Sequence, residues 1–180
     1  MANHKQLGFT LVEMLVAVTI FALTFMIVSA IFMNGNKLQQ HTASFQRLQN
    51  DGRYILEKLA REIRAREINY PSSTINPWTE LRFQPDENQE TLTVSFDALN
   101  GNLLYILNGG SAPINSEDIE VVSANFFVYP TTEDPWASAP LVNDQGRVTI
   151  LLKLRNRNIN PEYQRELVLQ TTISNKVYKR

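Results

Sequence analysis

The chain has 180 residues, of which 43% are hydrophobic, with no cysteine and a formal net charge of −1 at pH 7. This length fits one domain with an additional anchor segment. The lack of cysteine excludes a disulfide framework and a thiolate metal site. A sequence pI of about 6.1 lacks the basic footprint of nucleic-acid-binding proteins, so we expect no nucleic-acid partner.

A run of 20 residues without a charged side chain, Met14 to Met33, follows a short polar N-terminus. As an α-helix the run would be roughly 30 Å long, enough to cross the hydrocarbon core of a bilayer. No small-residue cleavage site follows it, which favours a retained anchor over a removed secretory signal. His4 and Lys5 precede the longer apolar stretch that begins at Leu7, and no acid does. The sequence therefore predicts a single-pass inner-membrane protein with its head outside the cytoplasm.

One acidic residue, Glu13, lies inside the apolar stretch that extends from Leu7 to Met33. A carboxylate in hydrocarbon costs several kcal/mol unless it finds a partner or stays at the interface. By itself, Glu13 is equally compatible with a position at the headgroups and with a specific partner.

Residues 7–15 read Leu-Gly-Phe-Thr-Leu-Val-Glu-Met-Leu. This stretch resembles the processing site of type IV prepilins and type II secretion pseudopilins. In that superfamily a short basic leader ends in Gly, and Phe, Thr-Leu and then Glu at the fifth place follow the cut. Gly8, Phe9 and Glu13 hold these positions here. The resemblance implies cleavage between Gly8 and Phe9 by a prepilin peptidase, which also methylates the Phe9 amine.

The resemblance further implies which partners the chain meets between its processing and its assembly. The processed protein would reside in membrane lipid, meet an inner-membrane assembly platform, and join other pilins or pseudopilins through its N-terminal helix. The new Phe9 amine would be a cation able to pair with a Glu13 carboxylate in the filament core. Such a buried pair fixes register more than it adds stability. We therefore predict that Glu13 aligns incoming subunits.

Beyond Gly35 the apolar pattern becomes that of an amphipathic helix, and no proline occurs before Pro71. We predict one helix from Phe9 to Arg64, with Asn34-Gly35-Asn36 as its weak point. Its apolar stripe should pack on a sheet and comprises Leu38, Phe45, Leu48, Ile55, Leu56, Leu59 and Ile63. The predicted polar side carries Arg47, Asp51, Arg53, Lys58, Arg61, Glu62 and Arg64. Gly52, within the stripe, either permits a close approach of the sheet or only loosens a turn.

The runs from Arg47 to Tyr54 and from Leu59 to Arg64 resemble the helices of PilW-like minor pilins and J-type pseudopilins. Many major pilins have a proline in the transmembrane helix and a C-terminal disulfide, and this chain has neither. The resemblance thus implies a minor subunit of a type IV pilus-like filament. Two alternatives stay open: a J-type pseudopilin of a type II secretion system, and an adhesive or DNA-uptake minor pilin.

The remaining chain reads as short strands separated by turns, with loops at 69–79 and 130–145. Predicted strands occupy 92–96, 103–107, 119–129, 148–154 and 167–173, with a hairpin at Asn100-Gly101. The predicted fold is α+β, with the long helix packed on an antiparallel sheet in the pilin plan. The predicted domains are a leader at 1–8, a transmembrane helix at 9–34, its amphipathic continuation at 35–68 and a β-rich head at 69–180.

No pattern of catalytic residues stands out, so we predict a protein that is not an enzyme and needs no cofactor or metal. His4 lies in the predicted leader, and His41 lies on the predicted polar side of the helix. Asp86-Glu87-Asn88 is interpreted as a charged turn in preference to a calcium site. Trp78 and Trp136 lie in proline-rich loops, where they either contact a partner or, as we favour, cover the edge of the sheet.

Overall fold

The computed structural model describes residues 10–70, 76–130, 146–157 and 164–175. These residues form one long helix followed by antiparallel sheets, which confirms the predicted α+β class. Helix α1 spans Leu11–Ala65. The strands are β1 Glu80–Arg82, β2 Leu92–Asp97, β3 Asn102–Leu107, β4 Gly110–Pro113, β5 Ile119–Tyr129, β6 Arg147–Asn156 and β7 Glu166–Ser174.

The helix runs unbroken through Asn34-Gly35-Asn36, so this predicted weak point does not interrupt it. A single glycine costs about 1 kcal/mol relative to alanine in a helix, which is small for an element of 55 residues. The predicted end at Arg64 agrees with the observed end at Ala65. The predicted start, Phe9, lies outside the described residues.

The chain divides into two compact units, residues 1–43 and 44–180. In the first unit the large apolar side chains between Leu11 and Met33 are 48% to 81% exposed. The helix is long and apolar enough to cross a membrane. Its internal threonines bond within the helix: the Thr19 and Thr24 hydroxyls donate to the carbonyl oxygens of Val16 and Ile20, both at 2.8 Å. This satisfies the polar groups internally, as hydrocarbon requires.

The second unit contains two antiparallel sheets, whereas the sequence pattern predicted one. A four-stranded sheet has the order β1-β2-β3-β4, and a three-stranded sheet has the order β5-β6-β7. All five predicted strands are present. The two strands that the sequence did not predict are β1, which has three residues, and β4, Gly-Ser-Ala-Pro. Both lack the alternating apolar pattern that identified the others.

The predicted hairpin joins β2 to β3, with Asp97 opposite Asn102 and Gly101 at φ +61°. A further hairpin joins β3 to β4 through Asn108 and Gly109, both at positive φ. Most of the predicted loop at 130–145 lies outside the described residues.

One hydrophobic core fills the second unit. Its helical part is the predicted stripe from Leu48 onward, since Leu48, Ile55, Leu59 and Ile63 are completely buried. The strands contribute alternating side chains, such as Val148, Ile150, Leu152 and Leu154 of β6. Two members of the predicted stripe are outside this core: Leu38 is 67% exposed and Phe45 is 39% exposed. The helical period places them on the stripe, but they precede the turn at which the core begins.

Gly52 lies where the helix approaches the three-stranded sheet. A Cβ atom at this position would collide with Leu169 Cδ1 and lie 3.1 Å from Leu154 Cδ1. Of the two interpretations left open by the sequence, the structure therefore supports the close approach.

Two residues assigned to the polar side of the helix are not free in solvent. The Glu62 side chain is 17% exposed, and its Oε1 accepts a hydrogen bond from the Tyr105 hydroxyl at 3.1 Å. Asp51 Oδ2 accepts the backbone N–H of Ser116 at 3.2 Å. The partners come from segments distant in sequence, β3 for Glu62 and the connection between β4 and β5 for Asp51.

Candidate functional site

The candidate site is the first turn of α1, where Thr10 and Glu13 bond to each other. The Glu13 backbone N–H donates to Thr10 Oγ1 at 3.2 Å. In return, the Thr10 backbone N–H and hydroxyl donate to Glu13 Oε2 at 3.1 and 3.2 Å. This reciprocal pair is a capping box, which satisfies backbone N–H groups that the start of a helix leaves without partners.

The capping box fixes the direction of the Glu13 carboxylate. Its Oε2 is bonded back to residue 10, so the negative charge lies at the N-terminal end of the helix, where the helix dipole favours it. Within the described part of the chain, Glu13 Oε1 accepts no hydrogen bond. The Glu13 Oε2 atom is thus engaged in capping the helix.

Sequence reasoning singled out Glu13 and missed Thr10 as its partner. The signal was present, because Thr-x-x-Glu immediately before an apolar helix is the capping-box spacing. Gly8 and Phe9 lie outside the described residues, so the cleaved bond and the methylated amine stay predictions.

The side chains around Glu13 are apolar and exposed. Leu11 is 81% exposed, Val12 68% and Met14 55%. Exposed apolar surface of this extent marks contact with lipid or protein. The carboxylate at the start of this helix is therefore surrounded by side chains suited to a low-dielectric medium.

Comparison with known protein families supports this interpretation. Residues 3–33 match the family model described as the prokaryotic N-terminal methylation motif. The N-terminus carries a type IV pilin-like signal. The motif indicates prepilin-type processing and, together with the apolar helix, a membrane-anchored pilin-like protein. No curated protein and no solved structure gives a significant match to this chain.

The other residues that the sequence highlighted have local partners. Asp86 Oδ1 accepts the backbone N–H groups of Asn88 and Glu90, both at 2.9 Å, and its Oδ2 lies 3.4 Å from Arg66 Nη1. This is a charged turn, as predicted. Among the described residues, no group of three or more His, Cys, Asp or Glu side chains is arranged to hold a metal.

Trp78 pairs with Phe126 of β5, an edge strand of the three-stranded sheet, by two backbone hydrogen bonds of 2.8 and 2.9 Å. Its side chain is 8% exposed and packs edge-on against Tyr70, with ring centroids 6.3 Å apart. The prediction that Trp78 covers a sheet edge is therefore confirmed, and Trp136 lies outside the described residues.

Proposed function

We propose that this chain is a structural subunit, a minor pilin or pseudopilin, of a type IV pilus-like filament, and that it is not an enzyme. The observation that carries the proposal is an acid held by a capping box at the start of an exposed apolar helix, within a matched methylation motif. A prepilin peptidase would cut between Gly8 and Phe9 and methylate Phe9, and the helix would hold the chain in the inner membrane until assembly.

During assembly, the charge of Glu13 would set the register of an incoming subunit relative to its neighbour. Thr10 holds Glu13 Oε2, which leaves Oε1 to accept the cationic Phe9 amine of a neighbouring subunit. In a low-dielectric core an unpaired carboxylate is costly, so only the register that pairs Glu13 is favourable. Preorganisation by Thr10 reduces the conformational entropy lost when the pair forms.

A minor role is supported by two departures from many major pilins, the missing transmembrane proline and the missing cysteines. The second candidate, a J-type pseudopilin of a type II secretion system, rests on the resemblance of the helix between Arg47 and Arg64. An adhesive or DNA-uptake role has less support, because the pI of about 6.1 does not favour binding to a polyanion.

The first experiment is mass spectrometry of the membrane-extracted chain from cells with an active prepilin peptidase. We expect a chain that begins at N-methylated Phe9. A chain that still begins at Met1 would contradict the proposal.

Two substitutions then separate the effect of the Glu13 charge from the effect of the helix cap. Glu13→Gln keeps a capping oxygen but loses the charge, and we expect normal membrane insertion with at least about ten-fold less incorporation into filaments. Thr10→Ala keeps the charge but loses the cap, worth about 1 kcal/mol, so we expect roughly five-fold less incorporation.

The matched control is Thr24→Ala, in the same helix, where the hydroxyl donates to the backbone carbonyl oxygen of Ile20 one turn earlier. It should incorporate normally, as should Thr10→Ser, which restores the capping oxygen. Incorporation of Glu13→Gln at the level of the unsubstituted chain would refute the assigned role of Glu13.

A further inference from the structure

The sheets of the second unit protect their edges in different ways. Strand β1 is bordered by the segment that precedes it, since the Asn69 N–H donates to the Arg82 carbonyl oxygen at 2.9 Å. Strand β4 has four residues and ends at Pro113, which has no N–H to offer. Short strands and prolines are two devices by which natural proteins prevent a sheet edge from pairing with another chain.

The edge of β5 is occupied from within the chain. Phe126 exchanges two backbone hydrogen bonds of 2.8 and 2.9 Å with Trp78. The carbonyl oxygen of Val128 accepts a hydrogen bond from Asn76 Nδ2, and the Val128 N–H donates to Asn76 Oδ1, both at 3.3 Å. Along its second half, β5 therefore has partners on the side that faces away from β6.

Strand β7 is the opposite edge of the same sheet and, among the described strands, pairs with β6 alone. Just beyond β7, the Asn175 N–H donates at 2.8 Å to the carbonyl oxygen of Gly146, which precedes β6. Because successive residues of a strand direct their backbone groups to alternate sides, the odd-numbered residues of β7 bond to β6. The backbone groups of the even-numbered residues point outward, and these residues are Glu166, Val168, Gln170, Thr172 and Ser174.

This outer edge lacks the protection that the other edges have. Strand β7 is nine residues long and keeps a continuous register with β6. It contains no proline, lysine or arginine, and its one charged residue, Glu166, stands at its start. Val168, on the solvent side, is 58% exposed. A long, regular edge without a charge at its centre is a template for a further strand.

The hydrophobic core is incompletely covered along this same edge. Leu56 and Ala60 of the helix and Leu167 and Leu169 of β7 pack against the core but are only partly buried. Leu56 and Ala60 also line a groove of about 580 Å³ that Thr171 borders from β7. The described residues of β6 do not line this groove, so it opens on the free side of β7. A strand added there would direct alternate side chains toward the helix and cover the apolar surface.

The charges beside the groove do not select a partner by sign. The exposed side chains of Glu57, Arg61 and Arg64 line it and carry both signs. Selection therefore falls to the backbone edge and the apolar surface. An extended polypeptide presents backbone donors and acceptors at the spacing of a strand, which neither a lipid nor a nucleic acid does.

We propose that the β7 edge binds an extended segment of a different filament protein, which adds a fourth strand to the three-stranded sheet. This inference rests on the proposed function, in which a minor subunit, present in few copies, has other pilin-like chains as neighbours. Hydrogen bonds to the even-numbered residues of β7 supply the affinity. The segment alternates apolar side chains, which cover Leu56 and Ala60, with polar side chains that face solvent.

Amide hydrogen exchange of the full chain, measured residue by residue by mass spectrometry, tests this pairing. In dilute detergent solution the N–H groups of Val168, Gln170 and Thr172 should exchange fast, and those of the odd-numbered residues of β7 slowly. In isolated filaments the even-numbered groups should exchange at least about ten-fold more slowly, because the added strand accepts their hydrogen bonds.

Each other result has a defined meaning. Even-numbered groups that stay fast in filaments containing the chain would overturn this inference and leave the proposed function standing. Slow exchange already in dilute detergent would overturn it too, because a segment of the same chain then covers the edge. Slow exchange only in concentrated pure protein would assign the edge to a second copy and refute the choice of partner. A chain that never enters filaments would overturn both proposals.

Photocrosslinking identifies the chain that supplies the strand. A photoreactive phenylalanine replaces Gln170 or Thr172, whose exposed side chains lie on the solvent face of β7. In filaments, the two replacements should crosslink to positions about two residues apart in one segment of another filament protein. The same replacement at Ser111, an exposed position on β4, should give no crosslink to that segment. Crosslinks that reach only a second copy of this chain contradict the proposal.

Proline substitutions test the edge by its backbone. Gln170→Pro removes an outward N–H, which an edge strand tolerates, so the melting temperature should change little while filament incorporation falls about ten-fold. Gln170→Ala keeps the N–H and should incorporate normally. Thr171→Pro removes an N–H that bonds to β6 and should lower the melting temperature strongly. A folded Gln170→Pro variant that incorporates as well as Gln170→Ala contradicts strand addition, and one that melts as low as Thr171→Pro contradicts the assigned outer edge.

Discussion

At the scale of single residues, folding partly buries the Asp51 carboxyl of the helix, which disfavours its charged form. Burial beside the 116–119 segment raises the pKa of its carboxyl above the ordinary value of 3.8, although the Ser116 N–H bond opposes the shift. A carboxyl whose pKa is raised by folding stabilises the folded state fully below pH 3.8. That contribution is lost as the pH rises through the raised pKa.

We therefore predict that Asp51→Asn raises the melting temperature at pH 7, because asparagine keeps an acceptor for Ser116 without a charge. The difference between variant and unsubstituted protein should shrink as the pH falls toward 3. Thermal melts of the detergent-solubilised chain across this range measure it. A larger gain at low pH than at pH 7 would contradict this explanation, and Arg53→Gln, at an exposed position, controls for a general effect of charge.

At the scale of elements, the end of the helix is tied to the four-stranded sheet by a polar cluster around Arg66. The Arg66 side chain is 15% exposed and contacts Glu62 at 3.1 Å, Asp86 at 3.4 Å and Glu90 at 3.6 Å. Glu62 also accepts a hydrogen bond from the hydroxyl group of Tyr105 on β3. Burial, followed by the Glu62 charge, raises the pKa of Tyr105 and keeps this donor protonated.

Removal of Arg66 would take away the cation that Glu62, Asp86 and Glu90 all contact. We predict that Arg66→Met lowers the free energy of unfolding by about 1–3 kcal/mol, measured by urea denaturation in detergent. Arg64→Met, which changes an exposed arginine at the end of the same helix, should change it by less than about 0.5 kcal/mol. Equal effects of the two variants would show that the cluster adds no specific stability.

At the scale of the whole molecule, the hydrophobic core formed by the described residues lies in the second unit. Every buried residue of the core lies between Leu48 and Ile173, while the apolar side chains from Leu11 to Met33 are exposed. A chain that begins at Ser44 retains all of the core.

We expect this truncated chain to fold without detergent and to melt cooperatively, whereas the full chain should require detergent for extraction. Circular dichroism and gel filtration of the truncated chain test this prediction. Aggregated or unfolded protein would show that the first unit contributes to the fold. A truncated chain carrying Leu152→Ala, which opens a cavity in the buried core, should lose about 2–5 kcal/mol and verify that the assay detects a damaged core.

The sequence by itself determined the features that depend on near neighbours along the chain. The uncharged run, the 3.6-residue stripe from Leu48 to Ile63 and the alternation in β6 are local patterns, and each predicted its element correctly. The methylation motif is equally local, and the matched family model covers residues 3–33. Even the Thr10–Glu13 capping box follows from a spacing of three residues.

Only the tertiary structure decided which distant groups meet. Glu62 and Asp51 occupy positions that a helical wheel assigns to solvent, but Tyr105 and Ser116, 43 and 65 residues further along the chain, become their partners. The division into two sheets likewise depends on which strands pair in the folded chain. The short strands β1 and β4 form by pairing with β2 and β3, whose apolar residues already predict strands. Local sequence carries little information on such pairings, because their free energy belongs to contacts that exist only after the chain has folded.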